Sequence, residues 1–319
     1  MTKSTYLMPQ VSVENMSLHI FAGLFADEQT SFSALYGSTS KQDTSYKSMR
    51  VLKYASEYQL ILSLLVANPE DAIVTWDIEG TTHEYIMPLL NRISNISDFT
   101  VNFQIENYAA LSIEPDRKVY ANGSTVYTFN PKALSNFINS AEWNLASVVS
   151  SAPPVHLILY TPPESRSPLY ILHSDGRPVE TNSFLIPQWG GIAIRSIPKG
   201  TKLFHYSRQE LHPIMEIFLG QLRDLMGIEP TRIKNSATIL PNVVVDYVSS
   251  KSAGITTWEL DRLSRTRTIQ NLLNAVQTLN SLATLLEQLG NMVVLDHIQT
   301  LVTHSLDSLH RVNAFVTFL

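Results

Sequence analysis

The chain of 319 residues contains no cysteine. That excludes disulfide scaffolds, cysteine-ligated zinc, iron–sulfur clusters and thiol nucleophiles. It leaves the compartment open, because a chain of this length can bury a large core without cross-links. Charge is scarce as well: 16% of residues are charged and 44% are hydrophobic, where an average soluble domain carries roughly 25% charged residues. The surface must therefore be covered by Ser, Thr, Asn and Gln, or lie against other proteins. A formal net charge of −5 with no long basic run excludes a nucleic-acid binder, since phosphate neutralisation needs clustered Lys and Arg. No long apolar run exists either. The longest, Leu60 to Ala67, is far short of the ~20 residues of a membrane span. The N-terminal "MTKSTYLMPQVSVEN" reads as neither signal peptide nor anchor, so any membrane attachment is expected to run through spans absent from this chain.

What is present is an alternation of β-rich runs and helical patterns. Residues 1–57 are mixed: "MSLHIFAGLF" fits a strand or a short helix, and Gly37 to Ser48 reads as a loop. From residue 58 the signal sharpens. Gln59 to Ala67 and Ala72 to Glu79 are apolar, β-rich runs separated by Asn68-Pro69. Thr81 with Glu84 three residues later forms a capping-box pattern ahead of a helix carrying Tyr85, Leu89, Arg92 and Ile93. "FTVNFQIENY" alternates like a strand, "PKALSNFINSAEWNLA" reads as a helix, and "VHLILYTP" as a buried strand. "PLYILHSDGRPV" runs into an Asp175-Gly176 hairpin turn. In "SRQELHPIMEIFLGQLRDLMG", Leu211, Ile214, Phe218, Leu222 and Leu225 share one face before Gly227, a C-terminal glycine. Residues 228–254 read as an extended connection. The rest is helical, with a heptad stripe through Leu272, Val276, Leu279, Ala283 and Leu286, a stop near Gly290-Asn291 and a last helix from about Asp296. The expected organisation is a poorly defined segment 1–57, an α/β domain 58–254 with a mixed β-sheet flanked by helices, and a C-terminal helical hairpin or bundle 255–319.

Four features invite a chemical reading. Gly190-Gly191 in "PQWGG" matches neither phosphate-loop nor dinucleotide spacing and leads into "IAI", a strand rather than a helix N-terminus. It is expected to be a bend in which Trp189 packs over bare backbone. Asp77 and Glu79, two apart on an expected strand, would share a face, and a hydrolase could use such a pair for acid–base work. Negative charge before a helix is also stabilising without catalysis. Nine histidines occur, but His297, His304 and His310 lack the i, i+4 spacing of a helical zinc pair. His297 and His304 are about 10 Å apart along a helix. No G-x-S-x-G elbow exists, and His173-Ser174-Asp175-Gly176 is better explained as turn chemistry than as a triad. No catalytic residue, metal ligand or cofactor is therefore assigned. Sequons at Asn15, Asn95 and Asn122 are candidate N-glycosylation sites, with ordinary polar turn residues as the plain alternative.

The segments "WDIEG", "SPLYILHSDGRPVETNSFLIPQWGGIAI", "MEIFLGQLRDLMGI" and "TTWELDRLSRTRTIQNLLNAVQTLNSLATLLEQLGNMVV" occur in that order. Together they resemble the PIG-S family, from about Tyr58 to His297, while residues before 58 match poorly. The resemblance implies a non-catalytic subunit of the glycosylphosphatidylinositol (GPI) transamidase. Such a subunit sits in the endoplasmic reticulum membrane with a lumenal region between two membrane spans. It implies partnership with PIG-K, the cysteine-protease-like catalytic subunit, with PIG-T, PIG-U and a Gaa-type subunit, and with the precursor protein that receives the anchor. It carries over no catalytic residue. Relative to the family, the first span and much of the early lumenal region are expected to be missing or diverged, and the chain stops at Leu319 before the second span. Trp258, Glu259, Asp261 and Arg262, which open the long helix beside Leu260, are interface candidates, with packing inside the chain as the favoured alternative, and Trp189 is a packing candidate. A generic secretory-pathway adaptor is the remaining alternative.

Overall fold

The computed structural model describes residues 51–119, 125–138, 143, 145, 151–228, 253–288 and 296–316. The expectations for residues 1–50, Asn15, Asn122, the connection from 229 to 252 and the helix stop at Gly290-Asn291 lie outside the described residues. The chain divides into two compact units, Met1–Leu260 and Asp261–Leu319.

The first unit is built on a five-stranded mixed sheet. Strand β1 (Glu57–Val66) lies at its heart, because its burial is continuous from Tyr58 to Val66. A strand buried on both faces reads as an unbroken apolar run rather than an alternation. The strand β2 (Ile73–Trp76) follows, then β3 (Asp98–Asn107), β4 (Asp116–Val119), β5 (Thr125–Phe129), β6 (Pro154–Thr161), β7 (Leu169–Ile171), β8 (Ser183–Ile186), β9 (Gly190–Ile194) and β10 (Leu203–Tyr206). The main sheet has the order β3-β1-β6-β9-β8. β1 is parallel to β3 and β6, β6 is parallel to β9, and β8 closes the far edge antiparallel to β9. β2 leaves this sheet to pair in parallel with β10, and β4-β5-β7 form a third small sheet.

Both faces of the main sheet are covered over its central strands, β1, β6 and β9. Helix α1 (Ile78–Tyr85), α2 (Met87–Ile93) and α3 (Arg208–Met226) lie on one side, with α3 against β9 and α1, and α2 against β3. A Cβ on Gly191 would meet Gln221 of α3, so Gly191 faces the helices and Ile192, its neighbour along the strand, faces the other way. There Ile192 joins a core of Ile158, Tyr160, Phe129, Phe137 and Trp143. Phe137 stands edge-on to Phe129, Tyr160 and Phe184 with ring centres 5.3–5.4 Å apart. Burying a side chain of this kind is worth about 1.5–3 kcal/mol.

The α/β class and the helical C-terminus agree with the sequence, and four local expectations need correction. The run Ala72 to Glu79 is not one strand: β2 ends at Trp76, Asp77 is the N-cap of α1 and Glu79 lies in its first turn. Thr81 is not an N-cap, since it sits inside α1 with its hydroxyl donating to the Asp77 carbonyl at 2.7 Å. The helix expected through Tyr85 and Ile93 breaks at Ile86, because Pro88 at the start of α2 brings no N–H to continue the ladder. The helix expected from Pro131 is a six-residue 3₁₀ segment, Pro131–Asn136.

α3 is bounded by strong signals. The Ser207 N–H and hydroxyl both donate to Glu210 at 2.9 Å, and Gly227 ends the helix in the left-handed region at φ +75°. The second unit holds the remainder of helix α4 (Thr257–Gln288) and helix α5 (Asp296–Val316). Leu272, Leu279 and Leu286 on the heptad stripe are half-buried, while Val276 and Leu285 are exposed. Among the described residues, no helix is long and apolar enough to cross a membrane.

Candidate functional site

Three stretches carried the sequence-level candidates, and the structure shows what each one touches. The first is "WDIEG". Asp77 Oδ2 accepts a hydrogen bond from Arg208 Nε at 2.8 Å. A Cβ on Gly80 would fall 2.4 Å from the same guanidinium, so the glycine leaves room for Arg208 to lie over the start of α1. Asp77 thereby ties the first turn of α1 to the first turn of α3. Glu79 is exposed on the helix surface, and residues two apart on a helix do not face each other. The two carboxylates are not a pair.

The second stretch is "PQWGG", the tip of the β8–β9 hairpin. Trp189 N–H donates to the Ile186 carbonyl at 3.2 Å, closing a turn with Pro187 at its second position and Gln188 at φ +59°. Proline pre-sets the first central residue of such a turn, and the second takes positive φ. The Trp189 ring packs on the His156 ring, with centres 4.7 Å apart, rather than over the glycines. Gly190 lies against the His156 backbone, where a Cβ would come within 2.0 Å of the carbonyl oxygen. Gly191 faces Gln221, whose Nε2 donates to the Phe184 carbonyl at 3.0 Å and reaches the Ile192 carbonyl at 3.5 Å. Both glycines serve close approach of protein to protein. Burial pushes the His156 imidazole down to about 4, so the ring is neutral near pH 7. Among the described residues, its Nδ1 is buried without a hydrogen-bond partner.

The third stretch is "TTWELDR". Thr256 and Glu259 form a capping box: Glu259 Oε2 accepts from the Thr256 N–H at 2.8 Å and from its hydroxyl at 3.0 Å, and the Glu259 N–H donates to Thr256 Oγ1 at 3.2 Å. The other carboxylate oxygen of Glu259 accepts from Arg223 Nη2 at 2.7 Å, while Arg223 Nη1 donates to the Gly254 carbonyl. The side chains of Arg223 and Glu259 are only 20% and 9% exposed. This clasp pins the start of α4 to the last turn of α3. Glu259 is thus consumed by packing inside the chain. Trp258 is half-buried, Arg262 is half-buried, and the exposed Asp261 pairs with Arg265 at 3.0 Å.

Sequence reasoning missed three residues that hold this unit together: Asn182, Gln221 and Arg223. Asn182, at φ +48°, accepts from Ile171 N–H at 2.9 Å and donates to the carbonyls of Leu169 and Ile194 at 2.9 and 3.1 Å. It stitches β7 to the end of β9. The one usable signal was a polar Asn at a turn, since Asn tolerates left-handed backbone. The sequon at Asn95 stands exposed in the turn after α2, with the Ser97 hydroxyl donating to the Ala55 carbonyl at 2.8 Å.

A cavity of about 30 Å³ lies beyond the carboxyl ends of β1 and β6, lined by Asn68, Asp71, Thr161 and Glu164 among others. It has room for about one water. Chemically, these stretches offer tightly spent hydrogen bonds and close packing rather than a nucleophile beside a base.

The sequence model described as "Phosphatidylinositol-glycan biosynthesis class S protein" matches residues 6–317. The match includes most of the segment before residue 58 that the quoted motifs left out. A Bos taurus protein named "GPI-anchor transamidase component PIGS" is 38% identical over 254 residues, 78% of this chain and 44% of that protein. Its Rattus norvegicus counterpart is 35% identical over 288 residues, 88% of this chain and 50% of that protein. A Schizosaccharomyces pombe "GPI transamidase component PIG-S homolog" is 28% identical over 274 residues, 85% of this chain and 45% of that protein. The chain spans about half the length of the curated relatives it matches.

Proposed function

The chain belongs to the PIG-S family, and from that premise we propose that it is an accessory, non-catalytic subunit of the GPI transamidase. Its role is scaffolding: the folded first unit holds the catalytic PIG-K and the PIG-T, PIG-U and Gaa-type subunits, with the precursor protein, so that the anchor is joined to the precursor's new C-terminus. The observation that carries the reading is the family match through residues 6–317. The fate of the acidic residues supports the non-catalytic part. Asp77, the carboxylate a hydrolase would need, is engaged by Arg208, and Glu79 is exposed in the first turn of α1. The site of action is the lumenal side of the endoplasmic reticulum membrane.

The test is co-purification. A tagged full-length protein recovered from native membranes is expected to bring down PIG-K and PIG-T in stoichiometric amounts, and recovery of the intact protein without them sinks the proposal. Lumenal exposure adds a second readout. Asn95 is expected to carry an N-glycan, seen as a glycosidase-sensitive mobility shift that the Asn95→Gln variant loses. An unglycosylated wild-type sequon at Asn95 would remove that support for a lumenal site.

A further inference from the structure

The main sheet has two edges, and they are guarded very differently. The β8 edge is four residues long and ends at Pro187. The β3 edge is ten residues long, "DFTVNFQIEN", with no Pro, Gly, Lys or Arg between residues 98 and 107. Natural edge strands are normally blunted by one of these devices, because a row of unpaired N–H and C=O groups is a template for another strand. Among the described residues, β3 pairs with β1 on its inner side only.

The register fixes which backbone groups are free. Asp98 N–H donates inward to the Ser56 carbonyl at 2.9 Å, so Asp98, Thr100, Asn102, Gln104 and Glu106 spend their backbone groups on β1. The alternate residues Phe99, Val101, Phe103 and Ile105 turn theirs outward. Their side chains also share one face. Phe99 stacks on Tyr58 with ring centres 5.3 Å apart, but Phe103 is 37% and Ile105 42% exposed, and Tyr108 just beyond is 64% exposed. A free hydrogen-bonding edge thus coincides with an incompletely covered apolar face.

We propose that the outer edge of β3 receives an extended segment of another polypeptide of the transamidase complex, which adds to the sheet as a sixth strand. This proposal rests on the reading of the chain as a subunit of that complex. The occupant carries apolar residues at alternate positions, to continue the face of Phe103 and Ile105. It carries Lys or Arg on its other face, opposite Asp98 and Glu106. Backbone pairing gives such a segment its affinity and the alternate side chains give it specificity. A second copy of this chain fits poorly. Pairing β3 with itself would crowd four carboxylates, Asp98 and Glu106 from each copy, into one polar strip with no cation on either strand.

The experiment uses the full-length protein in native membranes, with a photo-reactive benzoyl-phenylalanine in place of Phe103. Irradiation is expected to join it to another transamidase subunit. The Ile105→Pro variant removes an outward N–H and leaves the ladder to β1 intact, a position where edge strands tolerate proline, and should lower the adduct at least tenfold. Glu106→Lys keeps the backbone and should lower it several-fold through lost charge complementarity. It decides the question if the proline variant fails to fold. An adduct with a second copy, or a yield that neither variant changes, overturns the proposal. So does an absent adduct in a protein that still co-purifies with PIG-K and PIG-T, which leaves the subunit reading standing. Failure of the unsubstituted protein to co-purify removes both.

Discussion

Helix α3 carries an arginine in its first turn and another in its last, and the two ends behave differently. Arg208 meets Asp77 in water, with side chains 59% and 40% exposed. Arg223 meets Glu259 at nearly the same distance, 2.7 Å against 2.8 Å, with side chains 20% and 9% exposed. The chemistry is the same and the surroundings are not. An exposed pair is screened and must hold two long side chains in place for little Coulombic gain. A buried pair is costly to assemble but far more costly to break, because the surviving charge is left buried without a counter-charge. One end of α3 is therefore a loose strap to α1, and the other is a pin that locates the start of α4.

The pin gives the largest expected effect. Arg223→Ala leaves the Glu259 carboxylate buried and the Gly254 carbonyl without its donor, and should cost about 3–5 kcal/mol. Replacing both partners with apolar residues, Arg223→Met with Glu259→Leu, should recover part of that loss, because no orphaned charge remains. The rest persists because the Thr256 N–H loses its capping acceptor and the Gly254 carbonyl stays without its donor. Denaturant unfolding of the three proteins checks both statements. If Arg223→Ala costs no more than an exposed pair, burial is not what separates the two ends.

His156 extends the comparison to a buried group kept neutral. Its folded value lies at about 4, below its ordinary 6.5, because burial disfavours the charged ring. Above pH 6.5 the group is neutral in both states and its contribution is fully present. As pH falls from 6.5 towards 4 the unfolded chain takes up a proton that the folded chain refuses, and stability is lost. At 1.36 kcal/mol per unit, the loss is on the order of 3 kcal/mol. The His156→Phe variant keeps a ring against Trp189, and its stability should fall less between pH 7 and pH 4 than the wild type's by that amount. Parallel pH profiles for the two proteins would show that His156 titrates normally.

Gly191 of β9 probes the contact with Gln221, near the same end of α3 as Arg223. A Cβ there would sit 2.1 Å from Gln221 Oε1 and force that side chain off the hairpin carbonyls. Gly191→Ala should cost about 1–3 kcal/mol, the range for overpacking a tight site. Its combination with Gln221→Ala should be less than additive, since both disturb one contact. Full additivity would mean that the glycine serves something other than Gln221.

Much of this was legible in the residues. The Asp175-Gly176 turn is where the sequence places it, with Gly176 at φ +82°, because turn chemistry is local. The Ser207–Gly227 limits of α3 and the start of α5 at Asp296 are local in the same way. The illegible parts depend on distant partners. Asp77 read as a strand residue because "AIVTW" is β-rich up to Trp76, while its role is set by Arg208, 131 residues away. The departure of β2 to join β10, and the Arg223–Glu259 pin across 36 residues, leave no periodicity behind them. The glycines of "PQWGG" were recognisable as close-approach positions, but what approaches, the His156 backbone and Gln221, lies in other elements.

The smallest effect sits at the loose end. Asp77→Ala removes an exposed carboxylate from the Arg208 guanidinium and from the N-terminus of α1. An exposed ion pair is worth about 0.2–1 kcal/mol. The N-cap contribution adds little, because the Asp77 side chain makes no capping hydrogen bond. The whole cost should therefore stay near 1 kcal/mol and shrink further in high salt, since water and ions reach both groups. Arg223→Ala should keep its cost as salt rises, because its partner is sealed from the solvent. Salt dependence measured on both variants separates the ends more cleanly than magnitude alone. A salt-insensitive Asp77→Ala, or one that costs as much as Arg223→Ala, would mean that the first turn of α3 is a pin too and that Asp77 and Arg208 are held more rigidly than their exposure implies.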